Sequence, residues 1–480
     1  MSIPLTLRLF QKKKIKMMNN FTSVIAAVST PPGKGGVAII RISGDGALDI
    51  AASVFRPKSN KDFRLAAPRM QIRGDIFYGN ELIDDGMATY FKSPASYTGE
   101  DTVEIACHGG VLVTNTVLEA IFAAGAHPAE PGEFTRRAFI NGKLSLIEAE
   151  AIGNLLEAES REQIKLTSSK SREALAQKIA EIRDSLTSVL SSIYARIDYP
   201  DEDLGDFSDR ETVKILKDTA KRIERLIATY QTGKAISEGV RTVICGKPNV
   251  GKSSIYNLLL GRDAAIVTDI EGTTRDVLSE KIPLGRVMLN LSDTAGVRNS
   301  TLDPIEKIGI ERSRKKINDA ELILAVFDLS REFTDEDAEF VSRLSSIPAA
   351  KIAVLNKCDL KESFDSSRLT GIFDAYIKIS AENGAEEAIC DLADIITSLF
   401  TDEKISIGNE AVISTARQNA ELTRSLELIN SAISAYNEGF SADAASSDIE
   451  RALGAIAELD GRAVSEEVVK DIFAKFCVGK

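Results

Sequence analysis

Residues Gly246-Lys247-Pro248-Asn249-Val250-Gly251-Lys252-Ser253 spell GxxxxGK[ST], directly after the apolar run Arg241 to Cys245 and before a helical run. Strand, glycine loop and helix in that order let backbone N–H groups wrap phosphate oxygens at a helix N-terminus. In such a loop Lys252 reaches the β and γ phosphates and the Ser253 hydroxyl ligates Mg²⁺, with Asn249, Val250, Gly251 and Ser254 completing the wrap. Asp293-Thr294-Ala295-Gly296 and Asn356-Lys357-Cys358-Asp359 follow further along. A carboxylate at Asp359 can accept both the N1 and N2 hydrogens of guanine, a donor pair that adenine lacks, so the base expected is guanine. Ser380-Ala381, after Tyr376 to Ile379, fits the remaining loop around that base.

The order and spacing of these motifs match translation-factor-like GTPases. Gly272-Thr273-Thr274-Arg275-Asp276 reads as a switch I segment, with Thr274 as second Mg²⁺ ligand and Thr268, Asp269, Ile270 and Glu271 bordering the nucleotide. Val297 follows Gly296 where Ras-like enzymes carry a glutamine that orients water. With no arginine finger evident either, Asn249 suggests a monovalent cation as the source of transition-state charge; otherwise it is a bland loop asparagine.

The elements that position these loops are legible in outline. Residues 1–20 read as a disordered extension, since Met17 or Met18 opens the ordered sequence equally well. Residues 21–141 read as an α+β domain, with the β-rich run Val37 to Ile42, the alternating Thr102 to Ala106 and Gly/Pro punctuation between them. Residues 142–232 are helical: Leu175, Ile179, Ile182, Leu186, Leu190, Ile193 and Ile197 recur at spacings of three and four, hence on one face. Asp198 to Asp203 reads as a solvated helix end. Residues 233–401 return to βα alternation, the pattern of a doubly wound sheet, with strands at Val240 to Cys245, Leu322 to Phe327 and Lys351 to Leu355. Residues 402–480 are helical again, broken by Gly439, Gly454 and Gly461. The expected fold is therefore an α/β and α+β multidomain chain, a helical domain interrupted by a Ras-like P-loop GTPase domain.

Composition narrows the classes. The chain has 480 residues, 44% of them hydrophobic and 27% charged, which excludes wholesale disorder. A net charge of −12 gives no general attraction to nucleic acid, so RNA contact must be local, and the nearly neutral amino-terminal domain suits an anionic partner best. Five well-separated cysteines without a CxxC pair suit a reducing compartment, the cytosol by default. Only His108 and His127 are present, against a His-rich metal site, and His108 is expected to be buried and satisfied. No apolar run approaches the ~18 residues of a membrane helix.

GxPNVGKSS, GTTRD, DTAG and NKxD, together with the tail Phe476-Cys477-Val478-Gly479-Lys480 and the opening Thr30-Pro31-Pro32-Gly33-Lys34-Gly35-Gly36, resemble the MnmE (TrmE) family. The resemblance covers essentially everything after Met18. It implies modification of the wobble uridine of certain tRNAs at C5 to a carboxymethylaminomethyl or aminomethyl form, jointly with the FAD-containing protein MnmG (GidA). It implies a homodimer, joined by that flavoprotein in a heterotetramer or larger complex. The one-carbon unit would come from 5-formyl- or methylene-tetrahydrofolate, held in the amino-terminal domain at positions that fall on Arg41, Glu100, Lys143 and Lys480; each is otherwise a surface ion pair. Cys477 matches the family pattern too. Its thiolate could attack C6 of uracil, or the residue could simply pack the tail. In the GTPase domain the resemblance places K⁺ on the Asn249 side chain and on backbone oxygens of Thr268, Ile270 and Thr273, with Glu306 placing the attacking water.

Two readings of other classes compete. A ribosome-assembly GTPase acting as an rRNA-binding switch would normally add a basic module, and a septin- or dynamin-like membrane GTPase a basic amphipathic surface; neither is seen. The guanine assignment makes a direct prediction. Asp359→Asn should weaken GTP binding by about 1.5 to 3 kcal/mol, the scale of hydrogen bonds to a charged group, and shift preference toward xanthine nucleotides. Competition binding of guanine and xanthine nucleotides checks it, and unchanged GTP affinity contradicts it.

Overall fold

The computed structural model describes residues 23–198, 208–261, 279–292, 317–381, 385–440 and 442–480. Backbone proximity divides the chain into two units: residues up to 156 with 176–221 and 421–480, and residues 157–175 with 222–420.

In the first unit, strands β1 (Ile25–Val28), β2 (Gly35–Ser43), β3 (Phe55–Pro57), β4 (Gln71–Tyr78), β5 (Glu81–Phe91), β6 (Thr102–Gly109) and β7 (His127–Pro128) form one sheet in the order β3-β4-β5-β6-β2-β1-β7. Pairing is antiparallel except between β1 and β7. The run read as strand from Val37 to Ile42 lies in β2, and its alternation sorts the two faces. Ala38, Ile40 and Ile42 are buried in a core with Val103 and Ile105 of β6 and with Ala47, Ala51, Val117 and Ile121 of the helices Ala47–Val54 and Val111–Ala123. Arg41 points to the other face, where the β2–β6 register sets it opposite Glu104. On that same side Ile25 and Ala27 of β1 share a core with Phe134, on the helix Glu133–Ile140.

The helical stripe is borne out: Leu175, Ile179, Ile182, Leu186, Leu190 and Ile193 are buried on the helix Ser169–Asp198, while Ile197 is exposed. The Asp198–Asp203 acidic turn lies outside the described residues, apart from the backbone end of that helix. Near the carboxyl end, Gly439 and Gly461 lie just past helices Ala416–Asn437 and Ala442–Leu459 at φ 81° and 85°. Gly454 does not break its helix, contrary to expectation. A mid-helix glycine costs about 1 kcal/mol relative to alanine, and the burial of Ile449, Ala452, Ala455 and Ile456 around it outweighs that. The last helix, Glu466–Phe473, buries Val469 and Phe473 with Phe476, Leu146 and Ala149. Beyond it Gly479 adopts φ 94°, and a Cβ there would lie 2.1 Å from the Val28 carbonyl oxygen, so only glycine lets the tail lie against β1.

In the second unit, β8 (Val240–Cys245), β9 (Ser279–Leu284), β10 (Val287–Ser292), β11 (Leu322–Asp328), β12 (Ala350–Asn356) and β13 (Ala375–Ile379) form a sheet in the order β13-β12-β11-β8-β10-β9. All pairs are parallel except β9 with β10. Both faces are covered, which is why the strands read as continuous apolar runs. Leu322, Leu324 and Val326 pack with Ile255 and Leu259 of the helix Lys252–Leu260 and with Leu392 and Ile396 of the helix Ala385–Phe400. Ile323, Ala325 and Phe327 pack with Val341 and Leu344 of the helix Asp335–Ser345. The strand order reverses at β8, so the loop leaving its carboxyl end opens at the switch point where doubly wound sheets bind ligands.

Candidate functional site

Three of the sequence-predicted loops leave the carboxyl ends of β8, β12 and β13 and meet at one side chain. The Asn356 amide, 2% exposed, donates from Nδ2 to the Val250 carbonyl at 2.9 Å and accepts at Oδ1 from the Ala381 N–H at 3.3 Å. It thereby ties the phosphate loop to both base loops. Gly251 has φ 97°, and a Cβ there would lie 2.1 Å from Asn356 Nδ2, so the glycine is needed for conformation and for space. Asn249 also sits at positive φ, 63°, a region asparagine tolerates.

The helix Lys252–Leu260 starts at Gly251 with no side-chain cap, so its first N–H groups are left for an anion. Ser253 and Ser254 are exposed at this end. The Lys252 ammonium donates to the carbonyl oxygens of Gly246 at 3.0 Å and Lys247 at 2.6 Å, and burial lowers its pKa. Lys357 donates to the Asn249 carbonyl at 3.3 Å and to Asp328 Oδ2 at 2.6 Å. Burial opposes ionisation of Asp328, but hydrogen bonds from Lys357 and Ser330 hold its pKa below the usual carboxylate value. Lys247 pairs with Asp337 at 2.9 Å. Asp359 and Asn249 are exposed, and Ser380 is buried. Sequence reasoning passed over Asp328; its signal was an acid closing the buried apolar strand β11. The predicted residues Thr268, Asp269, Ile270, Glu271, Gly272, Thr273, Thr274, Asp293, Thr294, Ala295, Gly296 and Glu306 lie outside the described residues.

A second group gathers in the other unit, on the face of the amino-terminal sheet that carries Arg41. The guanidinium of Arg41 donates to Glu104 from Nε at 2.9 Å and lies over the rings of Tyr97, 5.2 Å from the centroid, and Phe134, 5.6 Å. Glu100 accepts from the Ser43 hydroxyl at 2.8 Å and from Arg137 at 3.2 Å. Lys143 donates from Nζ to the Pro94 carbonyl at 3.1 Å and from its backbone N–H to the Ala138 carbonyl at 2.8 Å. The tail completes the group. The Lys480 main-chain oxygen accepts from the Phe134 N–H at 3.1 Å, and the Cys477 carbonyl accepts from the Gly132 N–H at 3.4 Å. These bonds serve a helix start that has no side-chain cap of its own. Arg41, Glu100, Lys143 and Lys480 thus all reach the surroundings of the helix Glu133–Ile140. Arg137, 1% exposed at the centre, was missed; the i,i+4 pair Glu133 and Arg137 was the available signal.

The cysteines separate by environment. Burial pushes the thiols of Cys107 to about 11 and Cys245 to about 12, which disfavours thiolate chemistry. Cys477 is exposed. His108 corrects its expectation: it is exposed, with Nδ1 2.7 Å from Asp84 Oδ1, and that hydrogen bond raises its pKa. Val103, Ile105 and Cys107 take the buried face of β6, so strand alternation turns His108 outward.

A sheet with this strand order, a phosphate loop at its switch point and an NKxD loop tied to it defines a P-loop GTPase. The model described as GTP-binding protein TrmE N-terminus matches residues 24–143, and the MnmE helical domain model matches residues 146–477. The chain is 40% identical over 459 residues to the tRNA modification GTPase MnmE of Natranaerobius thermophilus, covering 95% of this chain and 99% of that one. It is 37% identical over 458 residues to the protein of that name from Clostridioides difficile, and 39% over 461 to that of a Thermotoga species, again covering 95% and 99%. The chain therefore belongs to the MnmE family of tRNA modification GTPases. Among the described residues no helix is long and apolar enough to cross a membrane.

Proposed function

We propose that this chain couples K⁺-dependent GTP hydrolysis to modification of tRNA. With an FAD-containing partner of the MnmG/GidA kind, it adds a carboxymethylaminomethyl or aminomethyl group to C5 of the wobble uridine, using a tetrahydrofolate one-carbon unit. The observation that carries this reading is the convergence of Arg41, Glu100, Lys143 and the tail, drawn from both ends of the sequence, on the helix Glu133–Ile140. The mixture suits a ligand with an aromatic, hydrogen-bonding head and carboxylates. Glu100 accepts N–H donors, Arg41 and Lys143 attract anions, and Tyr97 and Phe134 offer ring faces.

In the GTPase unit, Lys252 would meet the β and γ phosphates of bound GTP, and Ser253 with Thr274 would hold Mg²⁺. Asp359 reads guanine. Asn249, with backbone oxygens of Thr268, Ile270 and Thr273, would hold K⁺, whose charge would substitute for an arginine finger, and Glu306 would orient water through a neighbour. The Cys477 thiolate adds to C6 of uracil, making C5 nucleophilic, and leaves C6 once C5 is substituted and has lost its proton. Two copies would be needed, one GTPase domain closing over the other's switch I to exclude water from the cation. The cytosol, where folate, GTP and tRNA coexist, is the proposed compartment.

Two measurements test this. GTP turnover in K⁺ should exceed that in Na⁺ at equal ionic strength, and Asn249→Ala should abolish the difference while leaving GDP binding largely intact; equal rates in the two salts remove the cation. Nucleosides of tRNA from a deletion strain should lack the C5-aminomethyl series and regain it on complementation. An unaltered nucleoside profile contradicts the tRNA role.

A further inference from the structure

Among the described residues, the buried guanidinium of Arg137 meets Glu133, Ser23 and Glu100 together. Its Nε and NH2 donate to Glu133 Oε1 at 3.2 and 2.8 Å, and its NH1 donates to the Ser23 carbonyl at 3.0 Å and to Glu100 Oε2 at 3.2 Å. Glu133 is fixed in turn, because its Oε2 accepts from the Glu130 N–H at 2.9 Å. Glu100 is held on one side only. Its Oε2 takes both the Arg137 contact and the Ser43 hydroxyl, itself 2.8 Å from Thr98 Oγ1, whereas among the described residues its Oε1 meets Arg137 alone, at 3.4 Å. The Glu100 side chain keeps 18% of its surface exposed against 1% for Arg137. One carboxylate oxygen is therefore committed to the protein and the other remains for an incoming donor.

The same helical turn connects this carboxylate to the rest of the group. Phe134, three residues before Arg137, lies under Arg41 and donates its N–H to the Lys480 oxygen of the tail. A lysine at position 137 would keep the charge but, as a single ammonium without the planar fork, could not engage Glu133, Ser23 and Glu100 in this geometry.

We propose that Arg137 is a positioning residue of the amino-terminal ligand site: it holds Glu100 with one oxygen turned to accept N–H donors of a pterin-like ring. It also fixes that carboxylate to the helix that seats the tail. This rests on the reading of Glu100 as a ligand contact.

The test measures binding of 5-formyltetrahydrofolate by calorimetry to the full chain, alongside melting temperature and GTP turnover without folate. The variants are Arg137→Lys, Arg137→Met, Glu100→Gln and the double variant Arg137→Lys/Glu100→Gln. Arg137→Lys should weaken folate binding about tenfold, the scale of one charge-assisted hydrogen bond, with GTP turnover unchanged. The double variant should bind no more weakly than Glu100→Gln alone, because both changes remove the same contact. Arg137→Met leaves the buried Glu133 Oε1 without its cation, and where it fails to fold Arg137→Lys carries the comparison. If Glu100→Gln weakens binding and Arg137→Lys does not, or if their effects simply add, the positioning role falls while the folate reading stands. If Glu100→Gln binds as the parent does, the folate reading of Glu100 falls and the positioning role with it.

Discussion

Asn356 is the side chain on which the nucleotide site depends. A buried carboxamide must find partners for both its N–H and its C=O, and here they come from two different loops, the Val250 carbonyl and the Ala381 N–H. The strand β12 that delivers it is fixed by parallel pairing to β11 and β13, so the amide arrives in register with both loops. The requirement propagates outward. Gly251 must lack a side chain because the amide occupies its Cβ position, and a glycine there starts the next helix with its first N–H groups uncapped. Lys357, the next residue, reaches back to the Asn249 carbonyl while anchored on Asp328. The loops that would meet phosphate and base are thus arranged by contacts within the protein itself, the preorganisation that phosphoryl transfer relies on.

The amino-terminal group follows the same logic with a helix in place of a strand. The start of Glu133–Ile140 borrows acceptors from the tail, and the tail reaches that position because Gly479 passes within contact of Val28. Buried Arg137 next to two carboxylates would be a poor bargain for stability alone, since desolvating charges costs several kcal/mol per ion. That its partner Glu100 stays partly exposed fits a role in recognition better than one in packing.

What was legible in the sequence was local chemistry and periodicity. GxPNVGKSS and NKxD announce their loops because glycine, lysine and asparagine each answer a need within a few residues, and β2 and the helix Ser169–Asp198 announce themselves by periods of 2 and about 3.6. The outward turn of His108 was in principle available from the alternation of Val103, Ile105 and Cys107. Other features could not be read at all. Asp328 and Arg137 matter because of partners at Lys357 and Glu100, and nothing in either segment says which distant residue the fold will bring there. The family resemblance supplied Arg41, Glu100, Lys143 and Lys480 as a set, and the geometry adds the helix that gathers them.

That one buried amide organises the nucleotide loops can be measured in the affinity of Asn356→Ala for a fluorescent GDP analogue, taken beside its melting temperature. Losing the amide leaves the Val250 carbonyl and the Ala381 N–H without partners, so affinity should fall by about thirtyfold, roughly 2 kcal/mol, in a protein that still unfolds cooperatively. Asn356→Asp, which sets a buried carboxylate oxygen against the Val250 carbonyl oxygen, should fall at least as far. A folded Asn356→Ala protein that binds GDP as tightly as its parent would show that the loops keep their arrangement without the amide.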